Sequence, residues 1–156
     1  MGSYLDSKKS FEETALLLPQ NQQENLRLFL EITKTKPKWY ATNNFKYSYN
    51  GISVYRLNFT EKDTWRINLT VEKAGNIDEV LLLLSKPFQD FFFTNLRRCK
   101  QCNPAHGNGK RIIILDNEYF VCAEPEIQIC NPTVSDIEML YEVINLRKNN
   151  IKLIKK

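Results

Sequence analysis

Apolar residues recur with two different periods along this chain, and each change of period marks a change between helix and strand. From about residue 22 to residue 33 the spacing is helical, and one face carries Leu26, Phe29, Leu30 and Thr33. Between Trp39 and Lys73 the period falls to two. The clearest strand lies around Trp65, where alternation with polar residues predicts one buried face and one solvated face.

Turn and cap signals set the limits of the elements in the first half. Ser10 stands three residues before Glu13, a capping-box spacing that opens a short helix ending before Pro19. Asn50-Gly51 predicts a type I′ turn, because both residues tolerate positive φ. That turn joins strands around residues 44–49 and 52–59, and the strand around Trp65 completes a three-stranded meander.

Helices and then short strands are predicted in the second half. Asn76 can cap a helix that starts at Ile77, and Pro87 suits the first turn of the next helix. Hairpin turns are predicted at Asp116-Asn117 and at Glu124-Pro125. Overlapping capping boxes in residues 133–138 then open a terminal helix.

Grouped strands and helices indicate an α+β fold. The expected architecture is an antiparallel meander sheet packed by helices, with a C-terminal zinc-stapled β-hairpin unit and a terminal helix. A chain of 156 residues fits a single domain over residues 1–156, with the metal-stapled subregion at about 97–131. The hydrophobic share of 42% is enough for a packed core.

Charge and targeting signals narrow the function classes. The net charge is +4, but residues 147–156 hold five Lys or Arg and no acid, which leaves 17 basic and 18 acidic residues elsewhere. A nucleic-acid footprint over the whole domain is therefore disfavoured. The chain shows neither a secretion signal nor an apolar run near the ~20 residues that span a bilayer, so no membrane contact and a cytoplasmic location are expected.

The candidate chemistry is a cluster of all four cysteines and the single histidine within 32 residues: Cys99, Cys102, His106, Cys122 and Cys130. In a reducing compartment a C-x2-C pair of this kind favours zinc over disulfides. A closed structural site is favoured over a catalytic one, because no carboxylate stands where a zinc deaminase would need its general base. No other catalytic signature is present, so an enzyme is unsupported.

The choice of zinc ligands depends on hairpin register. A two-residue turn at Asp116-Asn117 would place Arg111 opposite Cys122, near the loop that follows the Cys99/Cys102 pair, which we call the knuckle loop. A similar turn at Glu124-Pro125 would place Cys122 opposite Ile127 and leave Cys130 further away. The favoured ligands are therefore Cys99, Cys102, His106 and Cys122, with Cys130 as the alternative fourth ligand. Cys122 and Cys130 could instead be packing residues, and His106 a solvated loop residue.

Three function classes remain open. The leading hypothesis is a non-enzymatic binding or regulatory module that takes a small ligand or a protein partner at the aromatic face of the sheet. The aromatic residues concerned are Trp39, Tyr40, Tyr47, Tyr49, Tyr55 and Trp65. The alternative is a nucleic-acid-associated protein that uses the basic knuckle around Arg97–Arg111 and the basic tail. A thiol redox protein is the second alternative.

The C-terminal half also resembles a known family. The motifs concerned are Cys99-Lys-Gln-Cys102, Gly109, Ile114-Leu115, Tyr119-Phe120-Val121-Cys122, Asn131-Pro132, Asp136-Ile137-Glu138 and Leu146-Arg147-Lys148. Over about residues 90–151 this pattern is similar to a family of small, mainly Gram-positive bacterial proteins with a C-terminal C-x2-C…C motif and a domain of unknown function. The resemblance implies zinc-binding cysteines and a single domain, and it implies no reaction or substrate.

Overall fold

The computed structural model describes residues 10–71, 76–97, 110–121 and 125–154. The chain divides into two compact units, one formed by Met1–Leu69 with Ile129–Lys156 and the other by Thr70–Gln128. Helices and antiparallel strands are both present, so the predicted α+β class is confirmed. Among the described residues, no helix has the length and hydropathy needed to cross a membrane.

Five helices and seven strands lie within the described ranges. The helices are α1 (Phe11–Ala15), α2 (Gln20–Thr33), α3 (Ile77–Leu82), α4 (Lys86–Asn95) and α5 (Val134–Ile154). The strands are β1 (Lys38–Ala41), β2 (Asn44–Tyr49), β3 (Ile52–Asn58), β4 (Arg66–Thr70), β5 (Lys110–Ile114), β6 (Asn117–Val121) and β7 (Glu126–Cys130).

The main sheet has five strands in the order β1-β2-β3-β4-β7. The predicted meander is confirmed as β2, β3 and β4, which pair antiparallel in sequence order. The β2–β3 turn has the predicted geometry, with φ of 51° at Asn50 and 79° at Gly51. The edge strand β1 and the pairing of β7 beside β4 were not predicted.

Helix α2 covers the apolar face of this sheet in the first unit. Phe29 of α2 is fully buried, and its ring lies 5.3 Å from that of Tyr55 and 5.8 Å from that of Trp65, centroid to centroid. Helix α5 contacts both α2 and β3. The aromatic positions of the meander therefore form much of the core, as edge-to-face packing favours.

Capping interactions fix where the helices of this unit begin. The Glu13 amide donates to Ser10 Oγ over 3.1 Å, as the capping-box spacing predicts. At the start of α5, Thr133 and Asp136 each accept a hydrogen bond from the backbone amide of the other. The Asp136 amide donates to Thr133 Oγ1 over 3.2 Å, and the Thr133 amide donates to Asp136 Oδ2 over 3.0 Å. The predicted cap of the terminal helix is thus confirmed.

The second unit contains α3, α4 and the β5–β6 hairpin. The hairpin turn differs from the prediction by one residue, because Leu115 and Asp116 occupy its two central positions with φ of 45° and 68°. Arg111 consequently pairs with Phe120 and not with Cys122. Asp78 explains the shift, since its Oδ1 accepts the Leu115 amide over 3.0 Å and holds this residue in the turn.

The predicted hairpin between β6 and β7 is wrong as well. β7 lies beside β4 in the five-stranded sheet, and Ile127 forms a bridge with Leu96. The physical reason is the otherwise open edge of β4, which offers unpaired backbone groups to another strand. Asn131, just after β7, continues this pairing by bonding the Trp65 backbone.

Candidate ligand-binding cleft

A cleft of about 1020 Å³ opens in the first unit, between the two N-terminal helices and the start of the sheet. Its apolar lining comes from α1, α2, β1, β2 and the segment before β1. These residues are Phe11, Ala15, Leu16, Leu26, Leu30, Pro37, Trp39 and Phe45. Pockets of this size and apolar character are typical of sites for small molecules.

Edge-to-face aromatic packing holds the α1 side of the cleft. The Phe11 ring lies 5.2 Å from the Phe45 ring and 5.9 Å from the Phe59 ring, at interplanar angles of 88° and 79°. Phe45 and Phe59 also pack edge to face. Helix α1 has only five residues, so these contacts and the Ser10 cap hold it against the sheet.

Chain geometry leaves Leu16 open to the cleft. The C-terminal end of α1 gives way to a turn at Leu16 and Leu17, and the Leu18 carbonyl accepts from Gln23 Nε2 over 2.8 Å. Leu18 is buried, whereas Leu16 is 69% exposed and lines the cleft. A large, exposed apolar side chain beside a concave apolar surface favours a binding role.

A chain of buried hydroxyl groups lies under the cleft. Thr33 Oγ1 donates to the Phe29 carbonyl over 2.7 Å, Thr33 and Thr35 Oγ1 are 2.8 Å apart, and Thr35 Oγ1 is 2.6 Å from the Tyr55 hydroxyl. Thr35 also lines the cleft, and all three hydroxyl-bearing residues are buried. This network links the end of α2 to the middle of β3.

The direction of each bond in the network follows from proton counting. A carbonyl only accepts, so the single Thr33 hydroxyl proton points to Phe29. Thr35 must therefore donate to Thr33, and Tyr55 must donate to Thr35. Burial raises the pKa of the Tyr55 hydroxyl well above its usual range, and the neighbouring Tyr47 acts in the same direction. Tyr55 is consequently a neutral donor that positions Thr35.

Charged side chains of both signs stand around the apolar lining. Glu12, Glu13 and Glu31 supply carboxylates, and Arg27 and Lys36 supply cations. All five residues are exposed. A strongly charged ligand would meet charges of its own sign as well as opposite charges around the cleft, so the balance favours an uncharged and largely apolar ligand.

The six aromatic residues singled out from the sequence do not share one surface. Trp65 and Tyr55 are core residues, 0% and 1% exposed. Trp39 lines the cleft, whereas Tyr40 lies beneath the amine of Lys46, which is 5.7 Å from its ring centroid. Tyr47 stacks on Tyr55, and Lys148 Nζ lies 5.1 Å from the Tyr49 ring. Two of these six residues are thus core, and of the six only Trp39 lines the cleft.

Sequence reasoning missed most of the cleft. It assigned the α1 residues to a short helix and gave Leu16 no role, although the run Ala15-Leu16-Leu17-Leu18 was a usable signal. Four consecutive apolar or small residues before a proline exceed what a five-residue helix can bury on one face.

Most of the predicted zinc ligands lie outside the described residues. Cys99, Cys102, His106 and Cys122 fall in the ranges 98–109 and 122–124, so their geometry is not described. Cys130 ends β7 as an exposed free thiol. Within the described part of the chain, no group of three or more possible metal-ligating side chains occurs. The ligand set therefore stays a prediction.

Comparison with known proteins leaves the cleft as the main guide to function. No protein-family model, curated protein or solved structure matches this chain. The resemblance to a Gram-positive family thus stays a prediction from sequence motifs.

Proposed function

We propose that this protein is a non-enzymatic binding module whose cleft takes an uncharged, largely apolar small molecule. The observation that carries the proposal is the cleft of about 1020 Å³ with an aromatic and aliphatic lining. Trp39 and Phe11 offer ring surfaces, and Leu16 offers an exposed aliphatic contact. Thr35 is the buried polar group at the lining, a pattern that suits recognition by shape with little polar specificity.

The structure of the lining also supports a pre-formed site. Phe45 is 1% exposed and packs between Phe11 and Phe59, and Thr35 is fixed by its bonds to Thr33 and Tyr55. A ligand would therefore order few side chains on binding, which lowers the entropic cost of association.

A neutral apolar fluorophore, N-phenyl-1-naphthylamine, tests this proposal with the full chain. We expect saturable binding with enhanced emission, and Leu16→Glu should weaken the affinity about fivefold to tenfold, because it replaces apolar contact area with a charge. Leu83→Glu is the matched control. Leu83 is 76% exposed and does not line the cleft, so its change should leave affinity within about twofold.

Equal weakening by both variants would show non-specific surface binding and contradict the proposal. Light scattering on the same samples tests whether a second copy of the chain, and not a small molecule, occupies the cleft. If Leu16→Glu converts a dimer into a monomer, the cleft is covered by another copy of the chain, and the small-molecule proposal fails.

We also propose a structural zinc ion, held by Cys99, Cys102, His106 and Cys122 or with Cys130 as the fourth ligand. The support is the sequence cluster itself, because cysteines at this spacing are available to a metal wherever they stay reduced, as in the cytoplasmic location expected from the sequence. Cys130 is compatible with its alternative role, because its thiol is exposed at the end of β7.

Metal content measured by mass spectrometry on purified protein tests the zinc proposal. We expect one equivalent of zinc per chain, and Cys99→Ser or Cys102→Ser should remove most of it. Separate changes of His106 and Cys130 to alanine then identify the fourth ligand, since only the true ligand lowers zinc retention under a chelator. Metal-free protein with a normal melting curve would contradict the proposal.

A further inference from the structure

Two uncharged aliphatic side chains, Thr35 and Gln23, give the cleft lining its buried polar character. Thr35 is 4% exposed and Gln23 is half-buried, whereas the charged residues of the lining are all exposed. The hydrogen-bonding preference of the cleft for an uncharged ligand therefore depends on whether these two side chains still offer a donor or an acceptor.

Thr35 has its only hydroxyl proton already in use. Thr33 Oγ1 donates to the Phe29 carbonyl over 2.7 Å, so it accepts the Thr35 proton across the 2.8 Å between the two hydroxyl oxygens. The Tyr55 hydroxyl in turn donates to Thr35 Oγ1 over 2.6 Å. A hydroxyl oxygen has two lone pairs, and Tyr55 takes one of them. Thr35 can therefore offer a ligand one acceptor position and no donor.

Gln23 has both of its amide hydrogens in use as well. Its Nε2 donates to the Leu18 carbonyl over 2.8 Å and to the Leu16 carbonyl over 3.3 Å. Both partners only accept, so the amide group keeps its nitrogen toward them and its Oε1 away from them. Among the described residues, the Gln23 side chain makes no further hydrogen bond. Gln23 thus also offers an acceptor and no donor.

The two acceptors lie at opposite ends of the α2 side of the cleft. Gln23 is near the start of α2, and Thr35 follows its end by two residues. The helix rises 1.5 Å per residue, so its axis extends about 15 Å between positions 23 and 33. A two-ring molecule is shorter than this distance and can reach only one of the two acceptors.

Thr35 is the more favourable of the two for a hydrogen bond to a ligand. Its hydroxyl oxygen is held by two bonds shorter than 3 Å, whereas Gln23 is tied only to the turn after α1. The Thr35 amide also donates to the carbonyl of Leu30, and Leu30, Pro37 and Trp39 supply apolar lining beside it in the chain. A hydrogen bond is stronger in such surroundings, and an acceptor covered without a partner costs free energy.

We propose that the cleft selects neutral apolar molecules that carry a hydroxyl group, and that this hydroxyl donates to Thr35 Oγ1. The inference rests on the proposed binding function of the cleft and names its ligand class as phenols and alcohols. An ether or a ketone of the same size has no proton to donate. A carboxylic acid is ionised at neutral pH and has none either, and a charged amine would lose hydration on burial.

Competition against N-phenyl-1-naphthylamine, with the full chain at pH 7, tests this inference. The competitors are 1-naphthol, 1-methoxynaphthalene and 1-methylnaphthalene, which share one ring system. We expect 1-naphthol to bind about fivefold to tenfold more tightly than either of the others, because it alone donates a hydrogen bond. Burial of apolar area alone predicts that 1-methylnaphthalene binds more tightly than 1-naphthol. Equal affinities or that reversed order would overturn the inference.

The same experiment separates the ligand class from the proposed function. If all three competitors displace the fluorophore with similar affinity, the cleft binds apolar molecules and only the role of Thr35 fails. If the fluorophore does not bind, or if none of the three displaces it, the binding function of the cleft fails and the ligand class fails with it.

A pair of variants assigns the preference to Thr35. Tyr55→Phe keeps the Thr35 hydroxyl and frees a second lone pair on it, so the preference for 1-naphthol over 1-methoxynaphthalene should persist. The double variant Thr35→Val/Tyr55→Phe keeps the side-chain shape at position 35 but removes the acceptor, and the preference should fall to within about twofold. Melting curves establish that both variants are folded. A double variant that retains the full preference would overturn the inference.

Gln23→Met tests the acceptor at the other end of α2 with a side chain of similar size. Both affinities should fall together if α1 loosens, because the Leu16 and Leu18 carbonyls lose their donor. The ratio between 1-naphthol and 1-methoxynaphthalene should stay unchanged. A ratio that is lost in Gln23→Met and kept in the double variant would place the hydroxyl beside α1 and contradict the role of Thr35.

Discussion

Thr35→Val is expected to lower the free energy of unfolding by about 2–3 kcal/mol, and Tyr55→Phe by only about 1 kcal/mol. The asymmetry follows from the direction of the buried hydroxyl chain. Valine at position 35 leaves the Tyr55 proton without an acceptor in a site where Tyr55 is 1% exposed. Phenylalanine at position 55 removes the donor itself, and the only group that loses a partner is Thr35 Oγ1, which still donates to Thr33 but accepts no hydrogen bond from position 55.

Urea unfolding of both single variants and of the double variant checks this prediction. The double variant should be less destabilised than the sum of the two, with a coupling of about 1 kcal/mol, because it no longer contains a buried unpaired donor. Thr33→Val is a further control, since it should leave the Thr35 hydroxyl proton without an acceptor. Tyr55→Phe costing more than Thr35→Val would show that the chain runs in the opposite direction.

Substitutions of Asn131 should rank Asp, then Gly, then Ala in order of increasing destabilisation. Asn131 has φ of 48°, its amide donates to the Trp65 carbonyl over 2.8 Å, and its Oδ1 accepts the Trp65 amide over 3.0 Å. Glycine keeps the backbone conformation but loses the side-chain acceptor, at about 1–2 kcal/mol. Alanine adds about 1 kcal/mol for the left-handed conformation, which gives about 2–3 kcal/mol in total.

Chemical denaturation of the three variants measures this series. Aspartate keeps an acceptor oxygen and should stay within about 0.5 kcal/mol of the natural protein. Equal effects of glycine and alanine would mean that the backbone conformation at Asn131 contributes nothing. A neutral glycine variant would mean that the bond to the Trp65 amide is dispensable.

Local signals in the sequence were sufficient for the meander and the helix starts. Asn50-Gly51 has few conformational alternatives to a type I′ turn, and the alternation around Trp65 fixes which side of β4 is buried. Ser10 and Thr133 cap their helices through bonds that span only three residues. Each of these features depends on neighbours in sequence and so could be predicted without the fold.

Features that depend on distant residues could not be predicted in this way. The β5–β6 turn shifts by one residue because Asp78, 37 positions away, accepts the Leu115 amide. β7 pairs beside β4 because that edge is available in three dimensions, whereas its sequence fits a hairpin with β6 equally well. The prediction that Cys122 is a zinc ligand was argued from both of these turns, so that geometric argument no longer holds. The metal site itself stays a prediction.

The cleft shows the same limit. Leu16 and Trp39 both line it, although 22 residues separate them in the sequence. The cleft is therefore a product of tertiary packing and not of composition.

The two indole N–H signals in a ¹H–¹⁵N correlation spectrum test the central proposal most directly. The chain has two tryptophans; Trp39 lines the cleft, and Trp65 is fully buried, with its Nε1 donating to Gln22 Oε1 over 3.1 Å. Titration with N-phenyl-1-naphthylamine should shift the Trp39 indole signal, assigned by Trp39→Phe, and leave the Trp65 signal in place. A spectrum in which Trp39 stays fixed while the fluorophore binds would contradict ligand binding in this cleft.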